Sequence, residues 1–327
     1  MDNNFIRYNL GSKGNILIWK ALLANYSLEA INQQFENYKT CCIFYKTNFN
    51  RIENNINSLL KISYNGHDFS PDFKYSIDAP NIHSNFPNYL FRIRKMTKGS
   101  WFEFNSTGLN FDTMEFEEIQ CLKDVWERPA DQVKDYQRLN KPFSSVLYTS
   151  LMSSTAVLET NLEEKDLFFL IVYKSTGNFK YSDCCKFVYF NELSEEENMK
   201  RYIMFCFLRD EFTRILPGSY KEGNQYCSSY HISKQFFISD DVHGIQYPST
   251  RGLGHRNFAF WGNVRDYLTF VGFRFCMLMK KEGTQSEINV IADSFWDNKK
   301  NKFIYTSPYS DKSKQVFDDF FRIMMCK

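Results

Sequence analysis

The 327-residue sequence is poor in the signatures of the commonest enzyme chemistries. GLGHRN at 252–257 holds a G-x-G but no third glycine and no helical pattern after it, so it fails as a dinucleotide-binding fingerprint. No Walker A motif, H-E-x-x-H or G-x-S-x-G occurs, which sets aside P-loop nucleotide hydrolysis, zinc proteolysis and the serine nucleophile elbow. Cysteine stands at 41, 42, 121, 184, 185, 206, 227, 276 and 326 but never as C-x-x-C, so neither a zinc knuckle nor a disulfide framework is expected. The histidines at 67, 83, 231, 243 and 255 lack metal-ligand spacing and read as surface or loop residues. No metal and no resident cofactor is expected. An excess of one charge sign is missing too: 40 basic residues are interspersed with 38 acidic ones, and no wide basic face for nucleic acid emerges. The longest strongly apolar run, LFFLIVY at 167–173, is far too short to span a bilayer, and MDNNFIRYNLGSKGN lacks the basic-then-apolar order of an export signal. These absences predict a cytoplasmic protein with reduced thiols and no membrane or nucleic-acid partner. Internal repeats are lacking, which sets aside solenoids and propellers.

What the chain does have is aromatic side chains, 33 Phe and 20 Tyr, set in two textures. Residues 16–38 place Trp19, Leu22, Leu23, Tyr26, Ile31 and Phe35 near helical spacing, and Phe49, Ile52, Ile56, Leu59 and Leu60 repeat it, predicting two amphipathic helices that pack on the rest of the protein. A stretch rich in Asn, Pro, Ser and His from Tyr64 to Asn88 follows, so a boundary is expected near residue 65, with a helical segment over 1–65 and a second domain over 66–327. From Tyr89 the texture changes to short aromatic and β-branched runs: YLFRIRKM, VLYTSLM, DLFFLIVYK, KFVYF, GIQYPS, NFAFWG, YLTFVGFRFCMLM and INVIADSFW. STGNFKYSDC between two of them reads as a hairpin connection. Ser194 and Glu197 form a capping box ahead of a helix lined by Met199, Tyr202, Ile203, Cys206, Phe207 and Phe212 and stopped by Pro217-Gly218, and a second helix is expected over 224–237. The fold class is α+β, with mixed and antiparallel sheets, flanking helices and a small helical segment in front.

Four polar segments sit inside these aromatic runs, where packing alone does not call for them. In YLFRIRKM, alternation puts Leu90, Arg92 and Arg94 on one face and Tyr89, Phe91 and Ile93 on the other. QRLNKPFSSVLYTSLMSSTAVLET supplies a loop with Arg138 and Asn140, a strand ending in Tyr148, and a helix capped by Ser153 or Ser154 with Glu159 on its second turn. A lone helical Glu is ordinarily a solvated surface group. GIQYPSTRG sets Ser249 after Pro248 with Arg251 two residues on, and HRNFAFWG leads Asn257 into another strand.

In this order the segments resemble the RES family, named for its Arg, Glu and Ser, whose pattern runs from (Y/F)R(V/I) through GR(W/F)N and LY to A..E and YPS.R with a trailing N. Arg92, Arg138, Tyr148, Glu159, Ser249 and Asn257 match it over roughly residues 89–265. Leu139 stands where the family commonly has an aromatic residue, Gln137 replaces a usual glycine, and a long stretch separates Arg92 from Arg138. The resemblance implies an ADP-ribosyltransferase-like core that consumes NAD+ as substrate by hydrolysis or phosphorolysis of the nicotinamide N-glycosidic bond, with phosphate as the co-substrate in the second case. It also implies a growth-inhibiting toxin, a cognate antitoxin and a homo-oligomer. Glu159, Arg92 and Ser249 are then the catalytic residues, and Arg92, Arg138, Tyr148, Ser249 and Asn257 bind NAD+. The residue types suit that chemistry: an oxocarbenium-like ribose calls for a carboxylate, and a pyrophosphate for guanidinium forks. Arg251 and Arg256, near Ser249, are candidates for recruiting phosphate. Transfer of ADP-ribose to a macromolecule, or a non-catalytic module that binds NAD+ or a partner, are the alternatives.

Overall fold

The computed structural model describes residues 19–44 apart from 21 and 25, short pieces between 54 and 78, residues 89–96, 110–214 apart from 178, and 226–317 apart from 253 and 284. The strands in chain order are β1 (Ile62–Tyr64), β2 (His67–Phe69), β3 (Ile77–Asp78), β4 (Tyr89–Lys95), β5 (Leu147–Ser150), β6 (Leu167–Ser175), β7 (Lys180–Asp183), β8 (Gly244–Pro248), β9 (Arg256–Phe260), β10 (Leu268–Glu282), β11 (Gln285–Asp297) and β12 (Lys302–Thr306). The helices whose bounds lie among the described residues include α1 (Leu28–Phe44), α2 (Ser153–Glu159), α3 (Glu195–Thr213) and α4 (Cys227–Ile232), and residues 311–317 are helical as well. The chain is α+β, with antiparallel pairing predominant and helices flanking it. It divides into two compact units, each made of separate stretches: 1–77, 129–144 and 180–247 in the first, 78–128, 145–179 and 248–327 in the second. The boundary expected at 65 and 66 falls on residues outside the described ones.

The second unit is built on an antiparallel sheet in the order β12-β11-β10-β6-β4-β5-β9. At its centre, β6 buries every residue from Leu167 to Tyr173. An unbroken apolar run of this kind belongs to a strand covered on both faces, and each such large side chain contributes roughly 1.5–3 kcal/mol of burial. On β4 the expected alternation holds. Tyr89, Phe91 and Ile93 join the cluster of Ala156 and Val157 from α2, Phe168, Leu170 and Val172 from β6, and Cys276 and Leu278 from β10. Arg92 and Arg94 therefore point to the opposite face. Between β10 and β11, Gly272 lies so close to the Ser294 carbonyl that a Cβ there would approach it to 2.6 Å, so the two strands meet only because that side chain is absent.

In the first unit, α1 starts late. The pattern over 16–38 is interrupted at Tyr26 and Ser27, where the Ser27 hydroxyl accepts from the Ala30 N–H at 3.2 Å and caps a new helix. Of the second helical repeat, Phe49, Ile52, Leu59 and Leu60 lie outside the described residues, and Ile56 is buried. The capping box on α3 forms as expected: Ser194 Oγ accepts from Glu197 N at 3.2 Å and Ser194 N donates to Glu197 Oε2 at 2.7 Å. Those bonds from Ser194 hold the Glu197 carboxyl below the usual range. The α3 stripe agrees with the expectation only in part: Phe212 is buried and Ile203, Cys206 and Phe207 are half-buried. Met199 and Tyr202 are exposed, and the buried face carries Asn198, Arg201, Met204, Phe205, Leu208 and Phe212. Arg201 makes the difference. Its guanidinium lies 3.9 Å from the centre of the Phe190 ring, 4.7 Å from Trp19 and 5.1 Å from Phe187, and it donates to the Val188 carbonyl at 3.1 Å. Burial pulls its pKa down. Stacking on aromatic faces is how a charged residue comes to occupy an apolar stripe.

α3 ends at Thr213, and Pro217 and Gly218 lie outside the described residues. The helix expected over 224–237 appears as α4 followed by a π-helical turn, Ser233–Phe237. STGNFKYSDC is not a hairpin connection: it contains β7, which pairs in parallel with β8, Tyr181 opposite Gly244. A partner some 60 residues away, in a parallel arrangement, leaves no local turn signal to read.

Candidate active site

The site grows from α2 in the second unit. SSTAVLE is short and starts at Met152, which has no capping side chain, so neither Ser153 nor Ser154 caps it; both lie within the first turn. Its inner residues, Thr155, Ala156, Val157 and Leu158, are buried and fix the helix on the sheet. Beyond Thr160, Asn161 takes a left-handed φ of 51°, the conformation that ends helices and that Asn tolerates better than most residues. Glu159 therefore occupies the last turn. An acidic side chain there opposes the helix dipole, by about 0.3–1 kcal/mol, and needs compensation.

The compensation comes from two strand ends. Ser249 Oγ, just after β8, donates to Glu159 Oε1 at 2.6 Å, and Asn257 Nδ2, on β9, donates to the same oxygen at 2.8 Å. Ser150 Oγ on β5, opposite Asn257 in the strand register, donates to Asn257 Oδ1 at 2.7 Å. Only one orientation of the Asn257 amide satisfies both neighbours, so the network fixes it. Ser249 Oγ in turn accepts from Arg251 N at 3.1 Å. Glu159 Oε2 has no hydrogen-bond partner among the described residues. The result is a half-buried carboxylate with Oε1 clamped by two donors and Oε2 without a hydrogen-bond partner among the described residues.

Compared with known protein families, with curated proteins and with solved structures, the chain matches none.

Of the residues expected from sequence, Glu159, Ser249 and Asn257 are brought into direct contact. Tyr148 is half-buried on β5 and, two residues from Ser150, shares its face of the strand. Arg92 is turned to another task. Its Nη1 donates to the Val125 carbonyl at 3.4 Å and to the Trp126 carbonyl. Tyr173, whose pKa burial raises to about 12, donates its hydroxyl to the same Val125 oxygen. Arg94 completes the clamp by donating to the Asp124 carbonyl at 2.8 Å. Arg138 belongs to the first unit, where it donates to the Phe212 carbonyl at 2.5 Å and lies 5.3 Å from the Tyr226 ring centre. Arg251 and Arg256 are exposed on the segment that carries Ser249. Among the described residues no group of three or more His, Cys, Asp or Glu is arranged to hold a metal ion.

Three participants were not singled out from sequence: Ser150, Thr155 and His255. Thr155 is fully buried, and its Oγ1 lies 2.6 Å from His255 Nδ1. One signal for it was available. Thr155 and Glu159 are four residues apart on a helix, hence on one face.

Proposed function

We propose that this protein cleaves the nicotinamide N-glycosidic bond of NAD+, as an NAD+ glycohydrolase or phosphorylase, and that residues 66–327 form a RES-like, ADP-ribosyltransferase-like domain. The observation that carries this reading is the carboxylate of Glu159, fixed through Oε1 by Ser249 and Asn257 while Oε2 has no hydrogen-bond partner among the described residues. Loss of neutral nicotinamide leaves positive charge spread over the ribose C1′ and ring oxygen. A preorganised carboxylate stabilises that charge without reorganising as it forms, which is where electrostatic catalysis gains most. Oε2 accepts from a ribose hydroxyl, and its negative charge faces the developing oxocarbenium ion. The Tyr148 ring offers a surface for nicotinamide stacking, a contribution of about 0.5–1.5 kcal/mol beyond burial.

For Arg92 the proposed role has to coexist with the Val125 and Trp126 carbonyls, which already use Nη1. A guanidinium carries five donors, so phosphate contact and loop anchoring are compatible. Arg138 is proposed as a second pyrophosphate ligand on the resemblance alone. The resemblance also supports a toxin role, with a cognate antitoxin as partner.

The test is to incubate the purified protein with NAD+, with and without inorganic phosphate, and to follow nicotinamide together with the ADP-ribose product. Hydrolysis yields ADP-ribose and phosphorolysis yields its phosphorylated form. No nicotinamide release under either condition contradicts the proposal.

A further inference from the structure

His255 lies outside every role assigned so far, yet the segment from Ser249 to Asn257 is organised around it. Its Nδ1 meets Thr155 Oγ1 at 2.6 Å, one helical turn before Glu159 on α2. Its backbone takes part as well: the His255 carbonyl accepts from Ser249 N at 2.9 Å, and His255 N donates to the Gly252 carbonyl at 3.2 Å. The ring lies against Gly252 so closely that a Cβ there would come within 2.7 Å of His255 Cδ2. The segment is thus folded back on itself and fastened to α2 at neighbouring points, by Ser249 and Asn257 on Glu159 and by His255 on Thr155.

The energetics favour a tight fastening. Thr155 is wholly buried, so a hydroxyl without His255 costs the desolvation of an unpaired polar group, about 1–3 kcal/mol. The bond also survives either imidazole state, since Thr155 Oγ1 can donate to a bare Nδ1 or accept from a protonated one.

We infer that His255 is a positioning residue: pinned to Thr155, it keeps the Ser249 hydroxyl and the Asn257 amide seated on Glu159 Oε1. The inference rests on the proposed role of Glu159 for its kinetic consequence but not for its structural one. Releasing the pin lets Ser249 swing away, Oε1 loses a donor, and the carboxylate rotates among several orientations. Turnover then falls while substrate still enters.

The experiment uses Thr155→Val, which is isosteric and removes only the hydroxyl, Thr155→Ser, which keeps it, and the set Gly252→Ala, His255→Ala and the double variant. Amide hydrogen exchange at Ser249 and Arg251 is measured in each, beside kcat and KM for nicotinamide release. Thr155→Val and His255→Ala are expected to speed exchange at both amides about tenfold and to lower kcat about tenfold at nearly unchanged KM, with Thr155→Ser close to the parent. Gly252→Ala is expected to match His255→Ala, and the double variant to be no worse than either, because a Cβ at 252 acts only by displacing a ring that is already gone. Parent-like exchange in Thr155→Val, or additive effects in the double variant, overturns the inference. Should the parent protein release no nicotinamide, the exchange data still decide whether His255 pins the loop, and only the function proposed for Glu159 is lost.

Discussion

Ser249 and Glu159, 90 residues apart in sequence, share a 2.6 Å hydrogen bond in which the hydroxyl donates to Oε1. A bond to a charged acceptor is worth about 1.5–3 kcal/mol, and 1.4 kcal/mol is a factor of ten in rate. Ser249→Ala is therefore expected to lower kcat/KM for nicotinamide release about 10- to 100-fold. The same bond contributes to folding, so unfolding in urea is expected to show a loss of stability of no more than about 1.5–3 kcal/mol, with the protein still folded under assay conditions. Steady-state kinetics beside equilibrium unfolding checks both halves.

Asn257→Asp is a sharper probe. It keeps an acceptor for the Ser150 hydroxyl but replaces the donor to Glu159 with a second carboxylate at hydrogen-bonding distance. Two such groups resist ionising together, so the pair holds a proton to higher pH. The acid limb of the pH–rate profile is expected to move upward, and the rate at pH 7 to fall further than in Asn257→Ala. Identical profiles for the two variants contradict a charged Glu159 as the working group.

Arg92 has a structural load that can be weighed separately from any substrate contact. It fastens the turn Leu122–Val125 and its neighbour Trp126 through backbone carbonyls, and Tyr173 shares one of them. Arg92→Ala is expected to destabilise the fold by about 1.5–3 kcal/mol, the usual range for hydrogen bonds to a charged group. Arg92→Lys should recover only part of this, since an ammonium lacks the planar fork. Urea unfolding without substrate makes the measurement, and unchanged stability in Arg92→Ala contradicts the clamp.

The same turn has an acid limit. Burial pushes Asp124 up, but the Cys121 backbone and thiol, the Gln120 N–H and Arg94 outweigh it and hold the carboxylate below its usual range. A carboxylate lowered on folding adds stability that is complete above its unfolded value, roughly 3.9, and lost as pH falls through the lower folded one. Asp124→Asn is expected to cost stability at pH 7 and to flatten the decline in stability toward acid. Unfolding midpoints from pH 7 to pH 2.5 for both proteins check the sign.

Much of the architecture was readable in the sequence because its causes are local. The apolar run of β6, the alternation on β4 and the Ser194–Glu197 box each announce themselves within a few residues. The misreadings share a different cause, a partner far along the chain. Met199 and Tyr202 looked like core because nothing nearby shows that Arg201 is stacked among Phe190, Phe187 and Trp19. β7 looked like part of a turn because its partner β8 is parallel and remote. At the site, the contact of Glu159, Ser249 and Asn257 could be expected only from the order of a family pattern, since 90 and 98 residues separate the partners. Thr155 and His255 fall outside that pattern; the helical spacing puts Thr155 on the face of Glu159, but its pairing with His255, 100 residues on, is visible only in three dimensions.

The most direct test of the central claim compares nicotinamide release from NAD+ by the parent protein and by Glu159→Gln. Glutamine retains the size of the side chain and an oxygen for Ser249 and Asn257, so the fold should persist while the negative charge is lost. Removing a transition-state electrostatic contact costs about 2.7 kcal/mol or more, so the rate is expected to fall at least about a hundredfold. A Glu159→Gln rate close to the parent's would contradict the account.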